Sequence, residues 1–468
     1  MKGHRPKKQN IAIAKSIEEG NAVTHSGPFH GDDVVACAIL SYVMPQVLLI
    51  RTRDPAIITA KKADKNTVFF DVGGQYEPDQ NLFDHHQRSF YRLRDDGTPY
   101  AAAGLLWDYY GEDIVKSVFD CPEEYAKDVV DRVDRMLIRG IDLRDLGLEP
   151  NTYSLSVSGL IALSNPISKR GETADDRFVV AAEYVKKIVL SRAILHAIQA
   201  EEGRRQTLDV IDAIQDDSTE VLVLPNNIHG WNSTVISLDR NEAKRLKFVV
   251  YESDEYEDDY VVEAISESSA LNRYEDLPFR MEFPMKWRGE KGYRLRKITG
   301  IETALYCHED GHLAAARTKE DAIKLAELAI SIAKKQMRKA LGAIEDDSAE
   351  VFVMSENIPG WKNLIVELDD DIAARLKFGV HEYRNIKYGD GYVAEAIPRS
   401  YHANQCSDGE LFRALCPDKW KGQKDENLRR LTKVKTARAC SKSGARVYAD
   451  TAEGAIELAQ LAIRSRAS

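Results

Sequence analysis

Short apolar runs alternate with amphipathic stretches through the first third of the chain. Four runs have the length of β-strands: residues 21–25 (NAVTH), 47–50 (VLLI), 67–71 (TVFFD) and 81–84 (NLFD). Four longer segments are predicted to be helical: residues 32–42, 100–110, 123–139 and 175–214. Strands separated by helices predict a parallel sheet flanked by helices, which is an α/β fold.

The second half of the chain contains an internal repeat. Residues 214–231 (IQDDSTEVLVLPNNIHGW) and 344–361 (IEDDSAEVFVMSENIPGW) are identical at 11 of 18 positions, at an offset of 130. Further matches follow as the offset drifts to 133, which predicts two copies of an α+β accessory domain. We therefore predict four segments: an α/β domain (15–175), a helical connector (176–213), a first accessory domain (214–335) and a second, degenerate copy (336–466).

Composition excludes several classes of protein. Of 468 residues, 43% are hydrophobic and 30% charged, so the chain is neither fibrous nor disordered as a whole. The net charge of −10 argues against stable, non-specific binding of nucleic acid. Every apolar run is shorter than the ~18 residues of a membrane span, so we expect no membrane partner. Six scattered cysteines without a CxxC pair favour a reducing compartment, and we expect the cytoplasm.

Histidines and carboxylates gather where the predicted strands end. The cluster comprises His25, His30, Asp32, Asp71, Asp84, His85 and His86. In open α/β sheets, ligands bind beyond the carboxyl ends of the strands. Asp131 and Asp134 are spaced i, i+3 on a later helix, so both can lie on one helix face.

This set of residue types predicts a site for two divalent metal ions. Imidazole together with carboxylate favours Mn²⁺, while Mg²⁺, Fe²⁺ or Co²⁺ could also bind. Two ions ~3.5–4 Å apart activate an attacking water and stabilise the charge of an in-line phosphoryl transition state. Asp71 is the candidate to bridge both ions, because Gly73 and Gly74 let the chain turn sharply after it.

Four motifs carry a resemblance to a known family. They are residues 24–33 (THSGPFHGDD), 51–55 (RTRDP), 71–74 (DVGG) and 84–90 (DHHQRSF). In this order they resemble the melanocyte-proliferating-gene family of DHH-type phosphoesterases, over residues 22–328. The resemblance implies a DHH-type metal-dependent phosphoesterase domain and a C-terminal domain that grips the substrate. Better-studied members of the family are regarded as 3′-to-5′ RNA exonucleases.

The resemblance also implies which residues hold each ion. His25, His30 and Asp71 would hold one ion. Asp32, Asp71 and His85 would hold the other, together with an aspartate from residues 131–134.

One motif of the family is altered in this chain. Relatives carry VDxVDNG, whereas residues 130–136 read VDRVDRM. We expect Asp134 to be the ligand, with Asp131 as the alternative. The resemblance assigns His86 to phosphate contact or proton transfer and Asp84 to orienting a histidine.

Further residues are predicted to contact the substrate. The predicted substrate-binding residues are Arg51, Arg53, Arg88, His308, His312 and Arg317. The three near the metal site could equally be ordinary surface arginines, and the two histidines plain loop residues. The second accessory copy lacks counterparts of the histidines and of Arg317, so we expect it to serve structure, dimerisation or substrate reach.

The predicted function is a Mn²⁺-dependent 3′-to-5′ exoribonuclease that releases mononucleotides from single-stranded RNA or short oligonucleotides. One alternative is a hydrolase of small phosphorylated molecules, such as dinucleotides, cyclic dinucleotides or pyrophosphate, which the acidic net charge favours. Another is a non-catalytic nucleotide-binding or scaffold protein. The chain could also form a homodimer.

Overall fold

The structure is a computed structural model. It describes residues 10–88, 90–148, 156–167, 173–254, 259–267, 279–346, 348–355, 358–368, 370–383, 390–399 and 412–467. The chain is a mixed α/β protein with three multistranded sheets in the described residues. It divides into two compact units, Met1–Glu202 and Gly203–Ser468.

A six-stranded sheet forms the centre of the first unit. Its strands are β1 (Ile11–Ile13), β2 (Ala22–Thr24), β3 (Val47–Arg51), β4 (Val68–Phe70), β5 (Tyr76–Glu77) and β6 (Leu82–Phe83). The spatial order is β1-β3-β2-β4-β6-β5, and every neighbouring pair is parallel except β5 and β6. All residues of β2 and β4 are buried, as expected for strands covered on both faces.

Helices cover this sheet and continue beyond it. They are α1 (Gly31–Val43), α2 (Pro55–Lys62), α3 (Ala102–Ser117), α4 (Glu123–Val133), α5 (Arg139–Asp145), α6 (Val157–Leu163), α7 (Ala174–Tyr184) and α8 (Ser191–Asp212). Two π-helical turns, Asp134–Ile138 and Val185–Leu190, interrupt the longer helical stretches.

Helix α1 lies in the centre of the hydrophobic core of the first unit. Each residue from 31 to 41 is buried, and α3, α5, α6 and α7 all pack against it. The approach of α6 is close, because a Cβ at Gly31 would lie 2.5 Å from the hydroxyl oxygen of Ser158. The absence of a side chain at Gly31 therefore lets the two helices meet at the start of α1.

The second unit contains two five-stranded sheets. The first comprises β7 (Val221–Val223), β8 (Phe248–Glu252), β9 (Tyr260–Ala264), β10 (Ala304–Cys307) and β11 (Leu313–Ala316). The second comprises β12 (Val351–Val353), β13 (Phe378–Tyr383), β14 (Gly391–Ala396), β15 (Ala437–Cys440) and β16 (Arg446–Ala449). Their orders, β7-β8-β9-β11-β10 and β12-β13-β14-β16-β15, are the same, and in each only the first pair is parallel.

The helices of the second unit follow the same alternation. They are α9 (Trp231–Ser237), α10 (Asn241–Arg245), α11 (Tyr293–Thr299), α12 (Lys319–Leu341), α13 (Trp361–Glu367), α14 (Asp371–Arg375), α15 (Asp425–Thr432) and α16 (Ala452–Ala467). Helix α12 packs on the first sheet and on α13, and one hydrophobic core contains side chains from both halves of the unit. Among the described helices, none is both long and apolar enough to cross a membrane.

Candidate metal centre

Three neighbouring parallel strands of the first unit deliver side chains to one edge of the sheet. His25 follows β2, Asp71 follows β4, and Asp84, His85 and His86 follow β6. These strands are adjacent in the order β2-β4-β6, so their carboxyl ends meet. Asp71 has a φ of 53°, which turns the chain at the strand end.

The start of α1 brings a second group of residues to the same place. His30 is the N-cap of α1, and its backbone N–H donates to Asp33 Oδ1 at 2.8 Å. Asp32 and Asp33 are both fully buried in the first turn of the helix. Asp33 was not among the predicted ligands, yet its Oδ2 lies 3.1 Å from His25 Nε2. Burial of the helix N-terminus explains why two adjacent aspartates both face inward.

His25 is oriented by its backbone neighbour. Its Nδ1 lies 3.1 Å from the carbonyl oxygen of Ser26, so the neutral ring donates there and leaves Nε2 as an acceptor. That Nε2 lies 3.2 Å from Asp71 Oδ2, in addition to its contact with Asp33. An acceptor nitrogen that faces carboxylates requires either a proton or a cation between them.

Asp145, at the end of α5, completes the cluster. Its Oδ2 lies 3.2 Å from His85 Nε2, and its Oδ1 lies 3.7 Å from His30 Nδ1. His30, Asp32 and Asp145 offer ligand atoms that all lie within 4.8 Å of one another. His25, His30 and Asp71 form a second such group, and Asp71, Asp84, His85 and His86 form a third.

The expectation that Asp134 or Asp131 joins this cluster is corrected by the structure. Of the described residues, neither belongs to a group that could hold a metal ion. Asp134 accepts hydrogen bonds of 2.7 and 2.8 Å from the guanidinium of Arg94, and Asp131 is exposed. The same guanidinium also donates to the buried Asp142 at 2.7 Å, so Asp134 belongs to a structural ion-pair network.

A signal in the sequence could have identified Asp145. Residues 141–147 read IDLRDLG. Asp142 and Asp145 are three residues apart, and Gly147 follows Asp145 by two positions. This is the spacing of the VDxVDNG motif, whereas the segment at 130–136 lacks the glycine. Gly147 has a φ of 67°, a conformation that favours glycine.

His86 and Asp84 form a pair beside the cluster. His86 Nδ1 lies 2.8 Å from Asp84 Oδ1, and Asp84 also accepts from the backbone N–H of Gly74 at 2.5 Å. Asp84 is buried, whereas the His86 side chain is 61% exposed. The hydrogen bond to Asp84 raises the pKa of His86 although partial burial opposes it. Despite its burial, hydrogen bonds from His86 and Gly74 keep the pKa of Asp84 below its usual range.

The cluster carries more buried negative charge than its histidines can neutralise. Burial raises the pKa of Asp32 well above its ordinary value, and the charges of Asp71 and Asp145 raise it further. Burial alone would lower the pKa of His25, but the adjacent carboxylates of Asp33 and Asp71 raise it to about 10. These shifts indicate a site in which a positive charge is strongly favoured.

Six buried polar atoms of the cluster lack a hydrogen-bond partner among the described residues. They are His25 Nε2, both carboxylate oxygens of Asp32, Asp33 Oδ2, Asp71 Oδ1 and His85 Nδ1. Buried polar atoms are nearly always partnered, so a shared group of orphaned acceptors requires an explanation. Imidazole nitrogens and carboxylate oxygens are the donor set of a divalent transition metal, and the cluster fits such an ion.

The structure corrects the expectation that Arg51 contacts a phosphate. Its side chain is fully buried, stacks 4.7 Å from the ring centroid of Phe178, and donates to Asp175 Oδ1 and to the carbonyl oxygen of Gly27. Arg51 therefore fixes the loop of residues 26–30, which joins His25 to His30. The other two arginines are exposed: Arg53 donates to the carbonyl oxygen of Ser26 at 3.1 Å, and Arg88 follows His85 by three residues.

The predicted residues of the first accessory domain lie in the second unit. His308 and His312 have ring centroids 4.6 Å apart, and with Asp310 they could hold a metal ion. The His312 ring stacks on Phe279 at 5.7 Å, and Arg317 is exposed. Their role in substrate contact stays a prediction.

Comparison with known proteins gives relatives that match most of their own length. An "MYG1 protein" of Dictyostelium discoideum is 27% identical over 332 residues, which cover 65% of this chain and 94% of the relative. "MYG1 protein YER156C" of Saccharomyces cerevisiae is 26% identical and covers 69% of this chain and 98% of its own. The human "MYG1 exonuclease" is 25% identical and covers 66% of this chain and 85% of its own.

A solved structure, a "pGpG-specific phosphodiesterase" from Vibrio, covers 67% of this chain and 98% of its own. Its TM-score is 0.24 at 10% identity, too low to carry an argument.

A family profile matches this chain twice. The profile is described as "Uncharacterised protein family (UPF0160)" and bears the short name MYG1_exonuc. It matches residues 21–330 and again residues 331–463. Together these matches span most of the chain and confirm the resemblance drawn from the sequence motifs. The chain belongs to the UPF0160 family, the DHH-type phosphoesterase-like family of the MYG1 proteins.

Proposed function

We propose that this chain is a metal-dependent phosphodiesterase, and specifically a 3′-to-5′ exoribonuclease that uses two Mn²⁺ ions and releases mononucleotides. The observation that carries the proposal is the group of buried, orphaned carboxylate and imidazole atoms at the carboxyl ends of β2, β4 and β6. Relatives of the same family that carry the name exonuclease support a nucleic-acid substrate.

The ligand sets follow from the contacts within the cluster. His25, His30 and Asp71 would hold one ion, since their ligand atoms lie within 4.8 Å of one another. Asp32, Asp71 and His85 would hold the other. Asp145 replaces Asp134 in this second set because it contacts His85 directly. Asp33 Oδ2 faces His25 Nε2, the nitrogen that Asp71 also faces, and would be a further carboxylate oxygen beside the first ion.

The chain itself supplies proton transfer and orientation. The ions would act as Lewis acids, which activate the attacking water and neutralise charge on the transferring phosphoryl group. Asp84 accepts the Nδ1 proton of His86, so the exposed ring presents Nε2 to solvent. With its pKa raised, His86 holds a second proton there and donates it to a phosphate oxygen or to the leaving oxygen.

A hydrolase of small phosphorylated molecules is the second candidate. The net charge of −10 favours it, because a long polyanion is repelled from an acidic surface. Cleavage of RNAs of graded length would separate the two. An exoribonuclease shortens every length, whereas a small-molecule enzyme cleaves only dinucleotides and similar compounds.

The proposal is tested by digesting 5′-labelled single-stranded RNA with Mn²⁺ and with a chelator. We expect wild-type protein with Mn²⁺ to give a ladder that shortens from the 3′ end. Asp71→Asn removes the carboxylate shared by both ligand sets, so it should abolish the ladder. Asp113→Asn makes the same chemical change on the exposed face of α3 and serves as the control.

Intact RNA in every lane would overturn the proposal that the protein is an exoribonuclease. A ladder that persists in chelator or with the Asp71→Asn variant would show that cleavage does not depend on the proposed metal site. Cleavage of dinucleotides alone would favour the second candidate, and a protein that takes up no Mn²⁺ would favour a non-catalytic binder.

A further inference from the structure

The second copy of the accessory domain carries positive charge that the chain as a whole lacks. Residues 419–443 contain nine basic and two acidic residues, a net charge of +7, in a chain whose net charge is −10. The matched segment of the first copy, residues 286–310, contains six basic and four acidic residues, a net charge of +2. The two segments have the same order of helix and strand, so they differ in charge and not in their elements.

Individual positions show how the charge was gained. At the offset of 133, Lys435 and Lys442 replace Glu302 and Glu309, so two acidic positions became basic. Lys433 replaces Gly300, and both residues end a helix in the left-handed conformation, with φ of 65° and 72°. Glycine is the residue that tolerates this conformation, so a lysine there runs against the local backbone preference.

We call the exposed basic residues on and beside α15 the basic band. Its members are Lys419, Lys424, Arg429, Arg430, Lys433, Lys435 and Lys442. Lys424 is the N-cap of α15, and its backbone pairs with Ala439 of β15. A Cβ at Gly422 would lie 3.9 Å from Lys442 Cγ, so the loop of Lys442 lies at this end of the helix. The eight-residue helix is about 12 Å long, which keeps the whole band compact.

Among the described residues, three lysines of the basic band lack the carboxylate partners that other basic residues of the second copy have. Other basic residues of the second copy do have such partners: Arg446 pairs with the buried Glu395, and Arg438 with Asp450. Within the part of the chain that the structure describes, neither Lys433, Lys435 nor Lys442 forms an ion pair. Their ammonium groups therefore face solvent, where a polyanion could replace water.

We propose that the basic band binds the phosphate backbone of single-stranded RNA and holds substrate strands on the enzyme. The inference rests on the proposed function, which makes a polyanion the substrate. Lysine and arginine side chains without a fixed carboxylate recognise phosphates through charge, independently of base sequence. The loop of the first copy that contains His308 and Asp310 has become Ser441 and Ser443 in the second, which removes an acidic side chain from the band.

The band can be tested on the full-length chain by charge reversal. Lys435→Glu with Lys442→Glu restores the residues that the first copy has at these positions, so the fold should accept them. The control combines Lys65→Glu with Lys335→Glu, which make the same change in charge at exposed positions outside the band. Binding of a fluorescent 20-mer of single-stranded RNA is measured in chelator, which prevents turnover, over a series of salt concentrations.

We expect the Kd of the band variant to rise about tenfold or more at low salt. The slope of log Kd against log salt should fall by about 1.4, since each lost phosphate contact removes about 0.7. The control should bind as wild type does. Equal binding by the band variant and wild type would overturn the proposal, as would an equal rise of the Kd in the control variant. A wild-type protein that binds the RNA but does not cleave it with Mn²⁺ would instead contradict the proposed function alone.

Discussion

At the residue scale, the central question is which aspartate completes the second ligand set. Asp145 contacts His85 and His30, whereas Asp134 is held by Arg94. We predict that Asp145→Asn weakens Mn²⁺ binding by about 100-fold or more, since even partners of metal ligands contribute 10–100-fold. Titration of the purified protein with Mn²⁺ by calorimetry measures this directly.

Asp134→Asn provides the matched comparison, with the same substitution 11 residues earlier. It should bind Mn²⁺ as wild type does, but it should lower the free energy of unfolding by about 1–3 kcal/mol, because the Arg94 guanidinium loses one of its two carboxylate acceptors. If Asp134→Asn weakened Mn²⁺ binding and Asp145→Asn did not, the placement of Asp145 in the centre would be wrong.

The sequence predicted most of the clustered residues but missed two for different physical reasons. Histidines and aspartates that follow short apolar runs could be identified, since parallel strands end at one edge. Asp145 was missed because the letters VDxVD were matched at Asp131 and Asp134 without the glycine that follows in IDLRDLG. Asp33 was missed because adjacent helical residues point about 100° apart, and only burial of the helix start turns both inward.

At the element scale, the loop of residues 26–30 determines the geometry of the centre. It joins His25 to His30 and is held by groups from other elements. Asn165, just after α6, accepts from the Phe29 N–H at 2.9 Å and donates to the Phe29 carbonyl at 2.8 Å. Arg51, at the end of β3, donates to the Gly27 carbonyl at 2.8 Å.

Loosening this loop should weaken metal binding without removing a ligand. We predict that Arg51→Lys and Asn165→Ala each reduce Mn²⁺ affinity about 10–100-fold. Lysine keeps the charge of Arg51 but cannot donate to Gly27 and Asp175 with one planar group. Asn165→Ala leaves two Phe29 backbone groups without their partner. Calorimetric titration with Mn²⁺ is again the measurement, and Asn66→Ala, at an exposed loop position, is the control.

A different result would restore the interpretation made from sequence alone. If Arg51→Lys raised the KM for RNA while Mn²⁺ affinity stayed unchanged, Arg51 would be a phosphate contact. The sequence left this open because an arginine in RTRDP looks the same whether it faces solvent or the core. Only the packing of Phe178 and Phe29 around the guanidinium shows that it is buried.

Among the elements themselves, the sequence predicts four of the six strands of the first sheet. The four predicted strands correspond to β2, β3, β4 and β6, and the longer helical segments correspond to α1, α3, α4, α7 and α8. Strands β1 and β5 are not predicted, although they are as long as β2 and β6, so length alone does not explain the difference. Each is defined by pairing with a neighbour, which a single short segment does not encode.

At the scale of the whole molecule, the two halves of the second unit share one core. Helix α12 packs on the first sheet, and Trp361, Leu364 and Ile365 of α13 join the same core from the other half. Lys247 of the first half is fully buried, and its Nζ forms an ion pair with Glu367 of the second half. The family profile matches residues 21–330 and then residues 331–463, and this interface gives α12 and Lys247 partners from the second of these ranges.

Truncation after Leu341 therefore should not yield a stable equivalent of the shorter relatives. It would expose apolar side chains of α12, each worth about 1.5–3 kcal/mol when fully buried, and leave Lys247 without Glu367. We predict that the truncated chain loses several kcal/mol of unfolding free energy in urea or aggregates at low micromolar concentration. Glu367→Gln in the full-length chain isolates the ion pair and should cost less than truncation. A truncated chain as stable as the full-length protein would show that the shared core is dispensable.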